Sequence, residues 1–188
     1  MNIQKVHLLN LLNTGTNQYV IPFFQRPFVW QKEDCENLYE DVIETAKANK
    51  INPLKEHFIG TIITKNSIAS SQMAAKYDLV DGQQRMTTFS LLLKALANNV
   101  DLNQPNANFL FDNINNSLFF KDAYGKMHYR IVHNRIDSVY FDKVMNSDKN
   151  TVFTEPEYTS NILDTYRYFL AKFSGLTNDD LLNYNNII

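Results

Sequence analysis

Cysteine, glycine and proline are scarce in this sequence. Its 188 residues include 1 cysteine, 5 glycines and 5 prolines. The lone cysteine, Cys35, cannot form an intrachain disulfide, so packing must hold the fold together, and a reducing compartment is favoured over secretion. The first residues also lack the basic-then-apolar order of a signal peptide. We therefore expect a cytoplasmic protein.

Long hydrophobic runs and an excess of one charge are also absent. No stretch approaches the roughly 18 consecutive apolar residues of a membrane helix, so the sequence predicts no membrane contact. With 18 basic and 20 acidic residues, the formal net charge is -2. Because non-specific DNA affinity comes mostly from neutralised phosphates, any DNA contact must be local or supplied by another domain.

The sequence is rich in apolar residues, and they recur in patterned segments. Hydrophobic residues make up 44% of the chain and aromatic residues 13%, as in packed globular proteins. Apolar periodicity predicts helices over residues 3–12, 33–49 and 83–96, a strand over 19–21, and strands over 58–64 and 77–80 joined by a hairpin connection. The first half is thus predicted to combine helices with a small sheet.

The second half is predicted to be mainly helical, with one hairpin of residues 118–121 and 127–132. Helices are expected over 136–144 and from residue 160 to Gly175, a residue type that suits a helix end. Another helix begins at Thr177, shortly before the last residue. We expect an α/β (α+β) fold with a core over 1–100 and a helical extension over 101–188, truncated relative to a longer parent protein.

The turn after the predicted strand 77–80 has the composition of an anion site, Asp81-Gly82-Gln83-Gln84-Arg85. The first N–H groups of a helix lack intrahelical partners and attract phosphate. Gly82 lets the backbone approach a ligand, and Arg85 offers phosphoryl oxygens a bidentate fork. A cation in a first helical turn opposes the helix dipole, so Arg85 points to an anion there. The residues equally allow Asp81 to cap the helix and Arg85 to pair with a surface acid.

A second segment places a cation among aromatic residues. The aromatic neighbours of Arg26 are Phe23, Phe24, Phe28 and Trp30. An unpaired guanidinium in apolar surroundings is costly, so Arg26 needs a carboxylate, an aromatic face or a ligand phosphate. Cation–π pairing with Trp30 and phosphate binding are equally open, and the aromatic residues themselves are expected to be packing residues.

Three segments belong together by their order and spacing: Ile21 to Trp30 (IPFFQRPFVW), His57 to Ile62 (HFIGTI) and Asp81 to Thr88 (DGQQRMTT). Together they resemble the N-terminal domain of GmrSD-type restriction proteins, also called domain-of-unknown-function family 262. A weaker likeness continues through residues 130–137, 140–141 and 166–169. The resemblance implies a ParB/sulfiredoxin-like nucleotide-binding core with a small mixed sheet, followed by a helical region, in a protein of defence against phage or modified DNA.

In that family, the segment matching Asp81 to Arg85 is tied to the binding and hydrolysis of nucleoside triphosphates. Members commonly join this domain to a C-terminal His-Asn-His nuclease domain. Nothing in this sequence matches the nuclease, because His133-Asn134 is an isolated pair. The resemblance therefore implies an NTPase that regulates a nuclease domain or subunit and reaches DNA through the full-length assembly. The oligomeric state stays open.

On this basis we expect a triphosphate to lie against the N–H groups of residues 83–85. The expected phosphate-binding residues are Gln25, Arg26, Gly60, Gly82, Arg85, Thr87 and Thr88. The expected catalytic residues are Asp81, Gln83, Gln84 and Arg85. Asp81 would hold Mg²⁺ directly or through water, and the arginines would neutralise charge at the phosphoryl group. Either glutamine would orient the attacking water, and Gly60 would let its strand approach the ligand or simply pack.

Two rival functions come from other classes of protein. One is a nucleotide sensor that switches assembly without turnover. The other is a DNA-binding domain in which Arg26, Arg130 and Arg135 line a groove. A metal site built from histidine is not expected, because His7, His57, His128 and His133 lack the spacing with cysteines or acids that such sites need.

Overall fold

The computed structural model of the chain describes residues 4–52, 58–67, 74–105, 107–133, 136–153 and 160–186. Over these ranges the chain forms a mixed α/β fold, as predicted. The helices are α1 (Leu8–Asn13), α2 (Lys32–Ile51), α3 (Gln83–Asn99), α4 (Ala107–Leu118), α5 (Ile136–Met145), α6 (Asn161–Phe173) and α7 (Asn178–Asn185). The strands are β1 (Asn17–Ile21), β2 (Ile63–Asn66), β3 (Ala75–Asp81), β4 (Phe119–Lys121), β5 (Met127–Tyr129) and β6 (Ile131–His133).

The main sheet of the described chain has four strands in the order β2-β3-β1-β6. Both β3 and β6 run parallel to the central strand β1, whereas β2 is antiparallel to β3. The carboxyl ends of parallel strands meet at one edge of a sheet, which is where ligands bind in open α/β sheets. The carboxyl ends of β1, β3 and β6 therefore lie side by side.

Helix α3 is the central helix of the fold, and nearly all of its residues are buried. It packs mainly against α6 and α4. One hydrophobic cluster joins residues from both halves of the chain, including Leu92 of α3 and Phe169 of α6. The second half also supplies β6 to the main sheet. A division of the chain at residue 100 stays a prediction.

Several elements differ from the sequence prediction, and two of them concern the first strand pair and the helix after α3. Helix α4 was not predicted, because its sequence contains four asparagines, and asparagine is a weak helix former. Its buried residues Leu110, Ile114 and Leu118 nevertheless follow helical spacing, so packing of that face outweighs the propensity. The predicted strand 58–64 begins only at Ile63. Residues 59 and 61 instead use their carbonyl groups to accept hydrogen bonds from a side chain of α3.

The predicted helix 3–12 is helical only from Leu8, and residues 4–7 are not helical. The other elements lie close to their predicted positions. The predicted hairpin of the second half is present as β4 and β5, but residues 131–133 leave it and join the main sheet beside β1. Among the described residues, no helix is long and apolar enough to cross a membrane.

Candidate functional site

The junction between β3 and α3, residues 81–85, starts with a glycine in the left-handed region. Gly82 has φ +94° and is the N-cap of α3. A Cβ at this position would lie 3.1 Å from Cγ1 of Ile62, so both backbone conformation and space favour glycine here. The first helical hydrogen bond runs from Met86 N to Gly82 O. Within the described part of the chain, the N–H groups of residues 83–85 have no partner.

Arg85 folds back across the junction onto residues 58–62, which we call the Gly60 segment. Its Nη2 donates to Thr61 O at 2.7 Å and to Asp81 Oδ2 at 3.3 Å, and its Nη1 donates to Ile59 O at 3.3 Å. The Arg85 side chain is 25% exposed and that of Asp81 is 57% exposed. The pairing of Arg85 with an acid, which the sequence allowed, is therefore present, but Asp81 does not cap the helix.

Gly60 makes this position of the guanidinium possible. Its φ is +96°, and a Cβ on it would overlap Nη1 of Arg85 and lie 3.0 Å from Cζ. Any larger residue would displace the Arg85 side chain or the segment itself. In the structure, Gly60 thus lies directly against the arginine of the junction.

Residues 22–30, which we call the aromatic loop, follow β1 and are held against the junction by glutamine side chains. Gln25 Nε2 donates to Val80 O at 3.1 Å, and Gln83 Nε2 donates to Gln25 Oε1 at 3.2 Å. Gln83 is nearly buried, at 9% exposure. Gln25 is therefore fixed from two sides, by the last residues of β3 and by the first residue of α3.

Gln84 holds the same loop further along. Its Oε1 accepts from Val29 N at 2.9 Å, and its Nε2 donates to Pro27 O at 3.0 Å. Both polar groups of this buried side chain are thus used by the backbone of the loop. By contrast, Oε1 of Gln83 accepts no hydrogen bond from any described residue.

Arg26 lies between these anchor points and faces solvent. It has no hydrogen-bond, ion-pair or ring partner among the described residues, so the alternative of a cation–π pair with Trp30 is not present. Phe28 is buried, but Phe23 and Phe24 are 65% and 70% exposed. Those two side chains are not core residues, which corrects the expectation that the aromatic residues serve packing.

Thr87 and Thr88 lie one turn into α3, inside the protein. Their hydroxyl groups donate to Gln83 O at 2.8 Å and to Gln84 O at 2.9 Å. Both residues are almost fully buried. Both hydroxyl groups are thus bonded within α3 and do not open onto its surface.

Two residues that were not singled out also contact this region. Asp137 Oδ2 accepts from Phe28 N at 2.8 Å, and burial raises the pKa of this carboxyl group. Nε2 of His133, at the end of β6, lies 3.1 Å from Thr87 Oγ1. Because Thr87 donates its proton to a helix carbonyl, His133 must donate to Thr87. Burial lowers the pKa of His133 to about 4, so its ring is neutral at pH 7.

The arginine groove of the DNA-binding alternative is contradicted at Arg130. This residue is only 4% exposed, and its guanidinium donates to Gly15 O at 2.6 Å and to Asn116 O at 3.1 Å. It also lies over the ring of Phe120. Arg130 is a structural residue and cannot line a groove, while Arg135 lies outside the described residues.

Histidine provides no metal site in the described ranges. His128 pairs with Asp122 at 2.8 Å, and His57 lies outside those ranges. Over the same part of the chain, no three histidine, cysteine or acidic side chains come together as metal ligands. Asp81, with its exposed carboxylate, directly precedes Gly82, the N-cap of α3.

Similarity to known proteins extends over nearly the whole chain. The family model for the GmrSD restriction endonuclease, N-terminal domain, matches residues 8–187. The chain is also similar to an uncharacterised protein of Methanocaldococcus jannaschii, with 27% identity over 204 aligned positions that cover 97% of this chain and 33% of that protein. This chain thus spans about a third of the length of that relative. The family match covers most of the chain, including the aromatic loop, the Gly60 segment and the β3–α3 junction, so the chain belongs to the GmrSD restriction endonuclease N-terminal domain family.

Proposed function

We propose that this domain binds a nucleoside triphosphate at the β3–α3 junction, hydrolyses it, and thereby regulates the nuclease of its restriction system. The observation that carries the proposal is the meeting of three segments at one helix start. The aromatic loop reaches it through Gln25 and Gln84, and the Gly60 segment reaches it through Arg85. This arrangement brings Arg85, and the loop that carries Arg26, to the helix start whose N–H groups at residues 83–85 are unpaired in the described chain.

The charges of the junction favour a phosphate chain. The helix dipole contributes roughly half a positive charge at the first turn. Arg85 uses three of its N–H groups on protein acceptors, which leaves two of the five that a guanidinium offers. Arg26 is exposed and has no partner in the described chain, so all of its donors are available. We propose that the phosphates bind between these two arginines.

Mg²⁺ would be held by Asp81 together with phosphate oxygens. One carboxylate plus substrate phosphates suits this ion, which keeps several of its waters. Asp81 is more than half exposed, and its present partner is Arg85 at 3.3 Å, so binding of the ion requires only that the carboxylate turn from one cation to another. When bound, the ion would neutralise charge on the phosphates.

In the proposed hydrolysis step, a water oxygen forms a bond to the γ-phosphorus and the water gives up a proton to solvent, while the bond from that phosphorus to the bridging oxygen of the β-phosphate breaks. The products are a nucleoside diphosphate and inorganic phosphate. Of the two glutamines, we propose that Gln83 orients this water, because its Oε1 accepts no hydrogen bond from the described residues. Gln84 would instead hold the aromatic loop, since both of its polar groups are used there. Arg26 and Arg85 would offset the charge that develops on the leaving oxygen.

Thr87 and Thr88 are not included in the proposed binding set, because their hydroxyl groups are buried and bonded within α3. The nuclease and the main DNA contacts are proposed to belong to other parts of the parent protein or to a partner subunit, in the cytoplasm. The buried position of Arg130 supports this division of roles, because it removes one cation from the surface of the domain.

The test is thermal stabilisation by ATP, GTP, CTP and UTP with Mg²⁺, followed by measurement of phosphate release. A ligand at about 100 times its dissociation constant should add roughly 2.7 kcal/mol of stability. Arg26→Ala should lose that shift without changing the melting temperature of the free protein, because Arg26 is exposed. Lys126→Ala, at an exposed turn between β4 and β5, is the matched control and should keep the shift.

The outcomes separate the functions. If none of the four nucleotides stabilises the wild type, the proposed nucleotide site is wrong. If nucleotides bind but no phosphate is released, even with DNA and the nuclease partner present, the domain is a sensor and not an enzyme. If Lys126→Ala loses as much as Arg26→Ala, the binding is a general charge effect and the junction is not the site.

A further inference from the structure

Phe23 and Phe24 form an exposed aromatic pair at the start of the aromatic loop. Their rings are in edge-to-face contact, with centroids 5.5 Å apart and an interplanar angle of 79°. The two side chains are 65% and 70% exposed. Two large aromatic side chains that stay mostly exposed forgo much of the stabilisation that full burial would give. Adjacent exposed rings of this kind are a surface that a ligand or partner can cover.

The backbone beside this pair is firmly held. Gln25 N donates to Pro22 O at 3.0 Å, which closes a turn around the two phenylalanines. The Gln25 side chain is then bonded to Val80 and Gln83. The rings are thus displayed by a loop whose position is set by the β3–α3 junction.

The sequence around the pair contains both kinds of group that bind a nucleotide, aromatic rings for its base and cations for its phosphates. The aromatic rings of residues 23 and 24 are followed within two residues by the exposed cation Arg26. The anchor Gln25, between ring and cation, contacts the first residue of α3, whose N–H group is unpaired in the described chain. Aromatic side chains stack on bases, and guanidinium groups and helix starts bind phosphates.

We propose that Phe23 and Phe24 form the stacking surface for the base of the nucleotide that binds at the junction. This inference rests on the proposed function and adds a base subsite to it. Charge complementarity favours this occupant over a protein partner, because the pair is followed within two residues by the exposed cation Arg26, and Gln25 between them is bonded to the first residue of α3, where the phosphates of the same molecule would lie. A purely apolar partner would leave Arg26 to be desolvated without an anion.

The proposal is tested by comparing nucleoside triphosphates with inorganic tripolyphosphate, both with Mg²⁺, by calorimetric titration. The wild type should bind at least one of ATP, GTP, CTP and UTP about tenfold more tightly than tripolyphosphate, since stacking on one aromatic ring contributes about that factor or more. Phe24→Leu and Phe23→Leu remove an aromatic face while keeping an apolar side chain. They should remove most of this difference and leave tripolyphosphate binding unchanged.

Phe109→Leu is the matched control, because Phe109 is 68% exposed but belongs to α4. It should bind nucleotide and tripolyphosphate as the wild type does. Melting temperatures of all three variants should stay near that of the wild type, because the changed side chains face solvent. A preserved melting temperature excludes unfolding as the cause of any loss.

The results also separate this proposal from the proposed function. Equal wild-type affinity for tripolyphosphate and every nucleotide overturns the base subsite while the phosphate site stands. The same holds if the two loop variants weaken both probes equally, or weaken neither and instead change the oligomeric state in sedimentation. If the wild type binds neither probe, the proposed function itself fails, and the base subsite falls with it.

Discussion

Replacing Gly60 by alanine tests the contact between the Gly60 segment and Arg85. The added Cβ would overlap Nη1 of Arg85. The guanidinium would therefore have to leave the carbonyl groups of Ile59 and Thr61, to which it donates at 3.3 and 2.7 Å. At the same time, the alanine would have to adopt a φ of +96°, which side chains other than glycine rarely accept.

Two costs add up to the expected loss of stability. A non-glycine residue in an unfavourable backbone region costs about 1–3 kcal/mol. Hydrogen bonds to a charged group contribute about 1.5–3 kcal/mol when buried. Here a quarter of the Arg85 side chain is exposed, and water can replace the lost partners, so we expect only about 1–2 kcal/mol in total from this term. The sum is about 2–5 kcal/mol.

The cost of the clash with Arg85 alone is measured by urea denaturation of the wild type, Gly60→Ala, Arg85→Ala and the double variant. In a double-mutant cycle with Arg85→Ala, the second Gly60→Ala change should cost only the backbone strain, which gives a coupling of about 1–2 kcal/mol. Gly175→Ala is the matched control for strain, because Gly175 has φ +80° and nothing lies within 4 Å of its added Cβ.

The reasoning is refuted if Gly60→Ala costs no more than Gly175→Ala, or if its cost is the same with and without the Arg85 side chain. Under the proposed function, Gly60→Ala should also weaken nucleotide binding, because a displaced Arg85 no longer has its position beside the first turn of α3. Retained binding with a displaced arginine would remove Arg85 from the proposed phosphate site.

Two further predictions concern stability. Gln84→Leu should lower the free energy of unfolding by about 1–2 kcal/mol in urea denaturation, since Val29 N and Pro27 O lose this partner and, on exposed residues, can bond only to water instead; a loss below about 0.5 kcal/mol would contradict this. For His133, the pKa is lowered from 6.5 to about 4 in the folded protein, so the unfolded chain binds the proton first. Stability should therefore fall as the pH drops below about 6.5, by up to about 1.4 kcal/mol per pH unit. His133→Gln should flatten that slope between pH 7 and 5, and an unchanged slope would show that other groups cause it.

Local patterns predicted the elements whose sequence signal is strong. The strand before Asp81, the glycine turn and α3 are encoded within about twenty residues, because β-branched and apolar residues, a glycine and helical periodicity follow one another there. Helix α4 was missed because its asparagines weaken the local signal. Its helical form depends on packing of three apolar residues against the rest of the core, and that packing is non-local.

Some site residues could likewise be predicted from the sequence, and others only from the fold. Gly82 and Arg85 stand out in the sequence because residue type and spacing alone show a glycine turn and a first-turn cation. The sequence does not show that Gln83 and Gln84 make different contacts, since they are adjacent residues of the same type. The fold directs Gln84 to Pro27 and Val29 and leaves one oxygen of Gln83 without a partner in the described chain.

By itself, the sequence determined the mixed α/β class, the three motif segments and the family to which they belong, because these depend on residue order and spacing. Only the tertiary structure decided that the three segments meet. The parallel pairing of β1, β3 and β6 brings the ends of distant strands to one edge of the sheet, and contacts across that edge involve residues more than 50 positions apart. The same long-range packing buried Arg130 and left Arg26, Phe23 and Phe24 exposed, a difference that composition and periodicity do not contain.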